Sequence, residues 1–171
     1  EEKIFLVSYD PNWVNKFEEE KALIQKTIGN FITGGIHHIG STSIPGLSAK
    51  PIIDILVGVD SLEKTKPCIE LLKEIEYCYY PYKTESRHWF CKPSLEKRTH
   101  HVHLIETSHP EFKAILAFRD YLITYPEKAK EYEDLKVELA RKFANDREAY
   151  TEGKTNFVKA VTEQALREVK I

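Results

Sequence analysis

The segment PIIDILVGV, residues 51–59, carries no polar side chain except Asp54. A continuous apolar run of this length, rich in β-branched residues, is the pattern of a strand covered on both faces, and Pro51 is tolerated as its first residue. Such a strand lies inside a sheet with layers on either side. An ionised carboxylate in that setting costs several kcal/mol unless it is paired, hydrogen-bonded or bound to a cation. Asp54 therefore has a partner or sits at the strand's open edge, and such a partner makes either a functional site or a buried structural ion pair.

The sequence around this strand alternates in type. In YDPNWVNKFEEEKALIQKTIGN, Asp10 is placed to cap a helix with Pro11 at its first position, and Trp13, Phe17, Ile24 and Ile28 fall on one stripe. GGIHHIG reads as a strand ending at Gly40. The spacing of Leu62, Ile69, Leu72 and Ile75 predicts a helix from Ser61 to about Tyr77, with Pro67 disturbing its first turns. YCYYPYKTE, SRHWFCKP and HHVHLIE read as three further strands. Three helices follow, one with Pro110 in its first turn, one starting at Pro126, and one from Asp146 to Val169. The expected architecture is a mixed sheet with flanking helices, its sheet-containing core over 1–108 and a helical part over 109–171. At 171 residues the chain has the length of one domain.

Composition excludes several classes. Hydrophobic residues at 42% and charged residues at 30% are globular values. No apolar run approaches the roughly 20 residues of a bilayer span, and EEKIFLVSYDPNW lacks the pattern of a signal peptide, so a cytoplasmic protein is expected. Cys68, Cys78 and Cys91 are odd in number and lack a C-x-x-C pair, which points to reduced thiols. A formal net charge of -2 gives no general basic footprint, so nucleic acid is not the expected partner. An acidic small molecule would need a specific pocket.

Candidates for that pocket come from two places. The Gly40-Ser41-Thr42-Ser43 turn combines backbone donors with three hydroxyls, which suits a phosphate or carboxylate; the same residues also serve as ordinary turn caps. The P-loop and dinucleotide fingerprints are both missing. His101 and His103, two apart in a strand, share a face and can converge on one ion or anion, while His100 faces the other way. His37 and His38 point to opposite faces, so at most one joins them. Lys50, Arg119 and Lys154 are candidates to neutralise phosphate. Lys136 and Arg147 are expected on solvated helix faces, and Gly153 signals a kink or a close approach.

YDPNW, HHIGSTSIPGLSAKPIIDILVGV, HVHLIE, FRDYL and DREAYTEGK follow one another in an order that resembles the GrpB family over nearly the whole chain. The resemblance implies an α+β fold of the nucleotidyltransferase-like type, with a mixed β-sheet, flanking helices and a C-terminal group of three helices. A similar domain accompanies dephospho-coenzyme A kinase in some bacteria. In nucleotidyltransferases of this fold a Gly-Ser turn holds a triphosphate and paired acids on the next strand bind two metals. Gly40 and Ser41 match the turn and Asp54 matches the first acid. Leu56 stands at the second, and His101 and His103 stand where a later carboxylate is looked for. One Asp with two imidazoles suits a single divalent metal, zinc or manganese before magnesium, rather than a bridged pair. The resemblance thus implies either an enzyme in which Asp54, His101 and His103 bind metal or act as acid and base on a nucleotide, or a non-catalytic nucleotide or coenzyme A-related binding module.

Overall fold

A computed structural model describes residues 4–169. Five strands, β1 (Ile32–Ile39), β2 (Ile53–Val59), β3 (Cys78–Tyr80), β4 (Arg87–Pro93) and β5 (Arg98–Glu106), form one sheet in the order β1-β2-β5-β4-β3. β2 and β5 run parallel, and every other neighbouring pair is antiparallel. The α+β class and mixed sheet expected from the sequence are present. β2 is covered on both faces, as its unbroken apolar run requires, with Ile55, Leu56, Val57 and Val59 fully buried.

The two faces of the sheet have different covers. Helix α1 (Asn12–Ile28) lays Trp13, Phe17, Ile24 and Ile28 against Ile53, Ile55, Val57, Val102, Leu104 and Phe90. Burying each such large apolar side chain contributes about 1.5–3 kcal/mol. Asp10 accepts the backbone N–H of Asn12 at 2.9 Å, so it caps the helix as its position predicts. On the opposite face, helix α3 (Pro110–Thr124) sets Phe112, Ile115 and Leu116 on Ile39, Leu56 and Ile105. The residues paired across the strands on that face include Ile39 with Asp54, Asp54 with His101, and Trp89 with His103.

The helix expected from Ser61 to Tyr77 is only a short α2 (Cys68–Leu71) followed by a 3-10 turn over Leu72–Ile75. Pro67 brings no N–H for a preceding turn, and the Thr65 hydroxyl hydrogen-bonds back to the carbonyls of Ser61 and Leu62, closing local turns instead. Helices α4 (Pro126–Lys142) and α5 (Arg147–Val169) complete the chain. Gly153 marks a close approach rather than a kink: a Cβ there would lie 2.5 Å from Leu139 of α4. Ile44 and Leu47, from the loop between β1 and β2, pack with Leu122, Ala129, Tyr132 and Val161, so this loop is fastened to all three C-terminal helices. No helix among the described residues is long and apolar enough to cross a membrane.

Candidate functional site

The partners that Asp54 demands are the two histidines. Because β2 and β5 are parallel and Asp54 is opposite His101, both imidazoles of the i, i+2 pair reach the carboxylate. Nδ1 of His101 is 3.2 Å and Nε2 of His103 is 3.3 Å from the same oxygen, Oδ1. His37 lies on this face but hydrogen-bonds the carbonyl of Gly34 at 2.8 Å and meets Phe112 edge-on. His38 lies on the other face, stacked on Phe17. Neither joins the cluster.

A chain of contacts fixes the protons. The guanidinium of Arg87 has no lone pair to offer, so its 2.9 Å contact with Nδ1 of His103 makes that nitrogen the acceptor and Nε2–H the donor to Asp54. Arg87 is itself paired with Glu111 of α3. Burial, and then the Arg87 charge, hold the His103 imidazole below its ordinary value against the pull of Asp54. For Asp54, burial pushes the carboxyl up, but the two imidazoles outweigh it and leave the group well below the usual carboxylate range. Nε2 of His101 is buried and has no partner among the described residues. With its proton on Nδ1, toward the carboxylate, this nitrogen carries a free lone pair.

The arrangement does not fit a metal ion. Both nitrogens of His103 are committed, one as donor to the carboxylate and one as acceptor from Arg87. Leu56, at the position of a second acid, is fully buried under α3. Among the described residues no group of three or more His, Cys, Asp or Glu side chains is placed to hold a metal. Asp54, His101 and His103 come together as expected, but as a hydrogen-bonded acid–base cluster rather than a ligand set.

The turn lies directly against the carboxylate. Gly40 has φ +73°, and a Cβ there would sit 2.8 Å from Oδ2 of Asp54, so only glycine allows both the turn and the approach. Ser41 faces the cleft. Thr42 does not: its hydroxyl donates to the carbonyl of Ile52 and accepts from His38, because the 3-10 turn over Ser41–Ser43 rotates it beneath the loop. The Ser43 hydroxyl donates to the Gly40 carbonyl and closes the turn. Of the three hydroxyls proposed for an anion, Ser41 alone is directed to the cleft.

Lys136 overturns the expectation of a solvated helix charge. It is 2% exposed, and Nζ donates to Oγ of Ser41 and to the carbonyl of Ser48, both at 2.8 Å. Glu133, almost one turn earlier, accepts the N–H of Ser48 at 2.7 Å. The loop docks into α4 through Ile44 and Leu47, and that docking draws this helix face out of water. Burial, and then repulsion from Lys154, bring Lys136 down to about 7. Lys50 falls to about 8 for the same first reason, with Lys154 and Arg147 adding repulsion. Lys154 is lowered by burial, opposed by Asp54. The ammonium groups of Lys50 and Lys154 lie over the ring of Tyr150 at 5.1 and 4.8 Å, with no carboxylate at ion-pair distance among the described residues.

Two cavities open beside the cluster, with His103 and Tyr82 lining both. One, about 420 Å³, is lined by Gly40, Ser41, Asp54 and Arg119 and walled by apolar side chains of α3 and α5. The guanidinium of Arg119 is held there by the carbonyl of His38 at 3.1 Å. The other, about 470 Å³, is lined by Lys50, His101, Arg98 and Arg147. Arg119 and Lys50 thus serve opposite sides of Asp54; Arg87 and Glu111 are not singled out by the sequence, which places Lys136 on a solvated face.

Comparison with known proteins agrees with this fold. The family described as GrpB protein matches residues 3–164. The glutamate-rich protein GrpB of Alkalihalophilus pseudofirmus is 40% identical over 161 residues, covering 91% of this chain and 92% of that protein. The UPF0157 protein YqkA of Bacillus subtilis is 38% identical over 165 residues, covering 96% of this chain. The chain spans only 48% of the length of YqkA. The crystal structure of the conserved protein GrpB from Enterococcus faecalis superposes with a TM-score of 0.90 at 35% identity, covering 98% of this chain and 100% of that one.

Proposed function

We propose, for a chain that belongs to the GrpB family, that it binds a nucleotide or other phosphorylated small molecule whose phosphates lie against the Gly40-Ser41 turn. The observation that carries this reading is the convergence of three lysines, with Lys136 on Ser41 of that turn and Lys50 and Lys154 on the ring of Tyr150. Burial depresses all three, repulsion from Lys154 adds to it at Lys50 and Lys136, and the nearby carboxylates are Asp54 and, at Lys136, Glu133. Such a cluster is costly empty and favourable around an anion. Ser41 and the backbone of the turn add neutral donors, and Arg119 meets the ligand from the other side of Asp54.

The acid–base cluster gives the same site a chemistry. Asp54 orients His101, whose Nε2 lone pair is buried and without a partner among the described residues. That lone pair accepts a proton from a hydroxyl or water as its oxygen attacks phosphorus and the P–O bond to the leaving diphosphate breaks, the released oxyanion staying among the lysines. His103, held neutral between Arg87 and Asp54, keeps the carboxylate ionised and in place. This assigns general-base work to His101 and positioning roles to Asp54 and His103, in a transferase of the nucleotidyltransferase-like type. Leu56 favours a second reading, a nucleotide or coenzyme A-related binding module without turnover, since its side chain belongs to the apolar packing under α3.

The test separates the two. Calorimetry with tripolyphosphate at pH 7 is expected to show binding by the wild type and at least tenfold weaker binding by Lys154→Ala. Equal affinity in both would remove the lysine cluster from the site. Asp54→Asn is expected to keep or raise tripolyphosphate affinity, because a negative charge leaves a cationic site, while losing turnover of nucleoside triphosphates supplied with magnesium. Intact binding without wild-type turnover selects the module.

A further inference from the structure

We infer that the cavity of about 470 Å³ between the β3–β4 aromatics and the start of α5 is the subsite for a flat heteroaromatic ring, so that the ligand is a nucleotide whose base stacks there. The inference rests on the phosphate reading above and adds the orientation of the bound molecule. Its volume lies within the range of small-molecule pockets. Tyr80 and Tyr82 are 48% and 41% exposed and both line the cavity, so two aromatic side chains stand open to it.

The geometry leaves ring faces available. Tyr80 and Tyr82 meet Trp89 in T-shaped contacts, at interplanar angles of 80° and 62°, and Lys83 lies over one face of Tyr82 at 5.5 Å, so among the described residues no aromatic ring is stacked on either tyrosine. Arg98 lies over Trp89 at 5.3 Å and brings a second kind of planar stacking group to the cavity. Glu148 and Glu152, one turn apart on α5, line the far wall and accept hydrogen bonds from amino groups of a base. Lys50 lines this cavity and also belongs to the phosphate cluster, so a molecule with its phosphates at the lysines has its ring on this side. His101 lies between the two, 5.0 Å from Trp89.

An aromatic cage with two acids also suits a quaternary ammonium group. The lining argues against that occupant here: Lys50, Arg98 and Arg147 outnumber Glu148 and Glu152, which repels a cation but not a neutral ring.

Titrating ATP, GTP and tripolyphosphate into the wild type and the Tyr80→Ala/Tyr82→Ala double variant tests the assignment. At least one nucleotide is expected to bind the wild type tenfold or more tightly than tripolyphosphate. The double variant should lose that advantage. Tyr80→Ala alone, titrated alongside it at a side chain that lines only this cavity, should also weaken the nucleotide while keeping its tripolyphosphate affinity, since Tyr80 is exposed and its loss leaves the fold intact. In a Trp13→Phe background, which leaves Trp89 as the sole tryptophan, the nucleotide should change the fluorescence and tripolyphosphate should not. A nucleotide that binds no more tightly than tripolyphosphate overturns the ring subsite and leaves the phosphate reading standing. Failure of both to bind overturns both. Phosphocholine binding that the double variant abolishes replaces the ring with a cation.

Discussion

Strand β5 sends His100 to one face of the sheet and His101 and His103 to the other, and the two faces treat buried charge in opposite ways. Under α1, Glu20 is paired with Lys92, accepts the hydroxyl of Tyr77 at 2.7 Å and lies 3.7 Å from His100. The ammonium of Lys92 also rests on the Tyr77 ring. One acid meets one base, and both are enclosed. On the cleft side Asp54 faces two imidazoles and, beyond them, lysines in excess, with the Nε2 atom of His101 and the hydroxyl of Tyr150 buried and unpartnered among the described residues. A closed pair is what a structural network looks like, and an unbalanced one next to a cavity is what a site awaiting an anion looks like.

The isosteric substitutions Glu20→Gln and Asp54→Asn give the largest test of that contrast. Glu20→Gln leaves the Lys92 charge buried without its partner and is expected to cost about 3–5 kcal/mol in denaturant unfolding. Asp54→Asn sits beside a cleft from which buffer anions reach the lysines, and is expected to cost less than about 2 kcal/mol. If Asp54→Asn destabilises as much as Glu20→Gln, the cleft cluster is a second structural network.

Next in size is Gly40→Ala compared with Gly46→Ala. Both glycines have positive φ, at +73° and +80°, so both alanines carry backbone strain of about 1 kcal/mol or slightly more. A Cβ at Gly46 meets nothing within 4 Å, whereas one at Gly40 presses on Asp54. Gly40→Ala is therefore expected to cost roughly 2–3 kcal/mol and to weaken tripolyphosphate, and Gly46→Ala about half that with binding unchanged. Equal effects on binding would mean that the turn's distance from Asp54 is irrelevant.

How much of this contrast was legible in the sequence follows from which interactions have a local signature. The apolar run around Asp54 announced a central strand, and the two-residue spacing of His101 and His103 announced a shared face, because strand periodicity is a property of the chain itself. The stripe of α1 was readable for the same reason. Lys136 was not, since its burial depends on a loop some 90 residues earlier docking through Ile44 and Leu47. Arg87 and Glu111 come from separate elements and meet only through the sheet order. Thr42 reads like Ser41 in sequence, and only the turn's rotation sends its hydroxyl beneath the loop.

The smallest effect, and the most direct reading of the unbalanced face, is the dependence of stability on pH. Lys136 and Lys50 sit at about 7 and 8 in the folded protein, against about 10.4 when unfolded. Between pH 7 and 8.5 the unfolded chain therefore holds more protons at these two residues, and their contribution to unfolding free energy rises with pH by up to about 1.4 kcal/mol per unit for each lysine. Below about pH 6 both are charged in either state and the contribution is flat. His38, lowered to about 4 by burial, and His100 and His103, also lowered by burial, add a rise of the same sign that lies mainly below pH 7, where the unfolded imidazoles take up protons. The thiols of Cys68 and Cys91, raised by burial, pull the other way above about pH 8.5, which sets the upper limit. Urea unfolding at several pH values is expected to show the rise in the wild type and a shallower one in Lys136→Met. Tripolyphosphate holds the lysines charged, so saturating ligand should flatten the rise, and affinity should increase at least tenfold from pH 8.5 to pH 7. A wild-type profile that already matches Lys136→Met, with affinity independent of pH, would mean that these lysines are solvated cations and that the cleft face is as balanced as the face under α1.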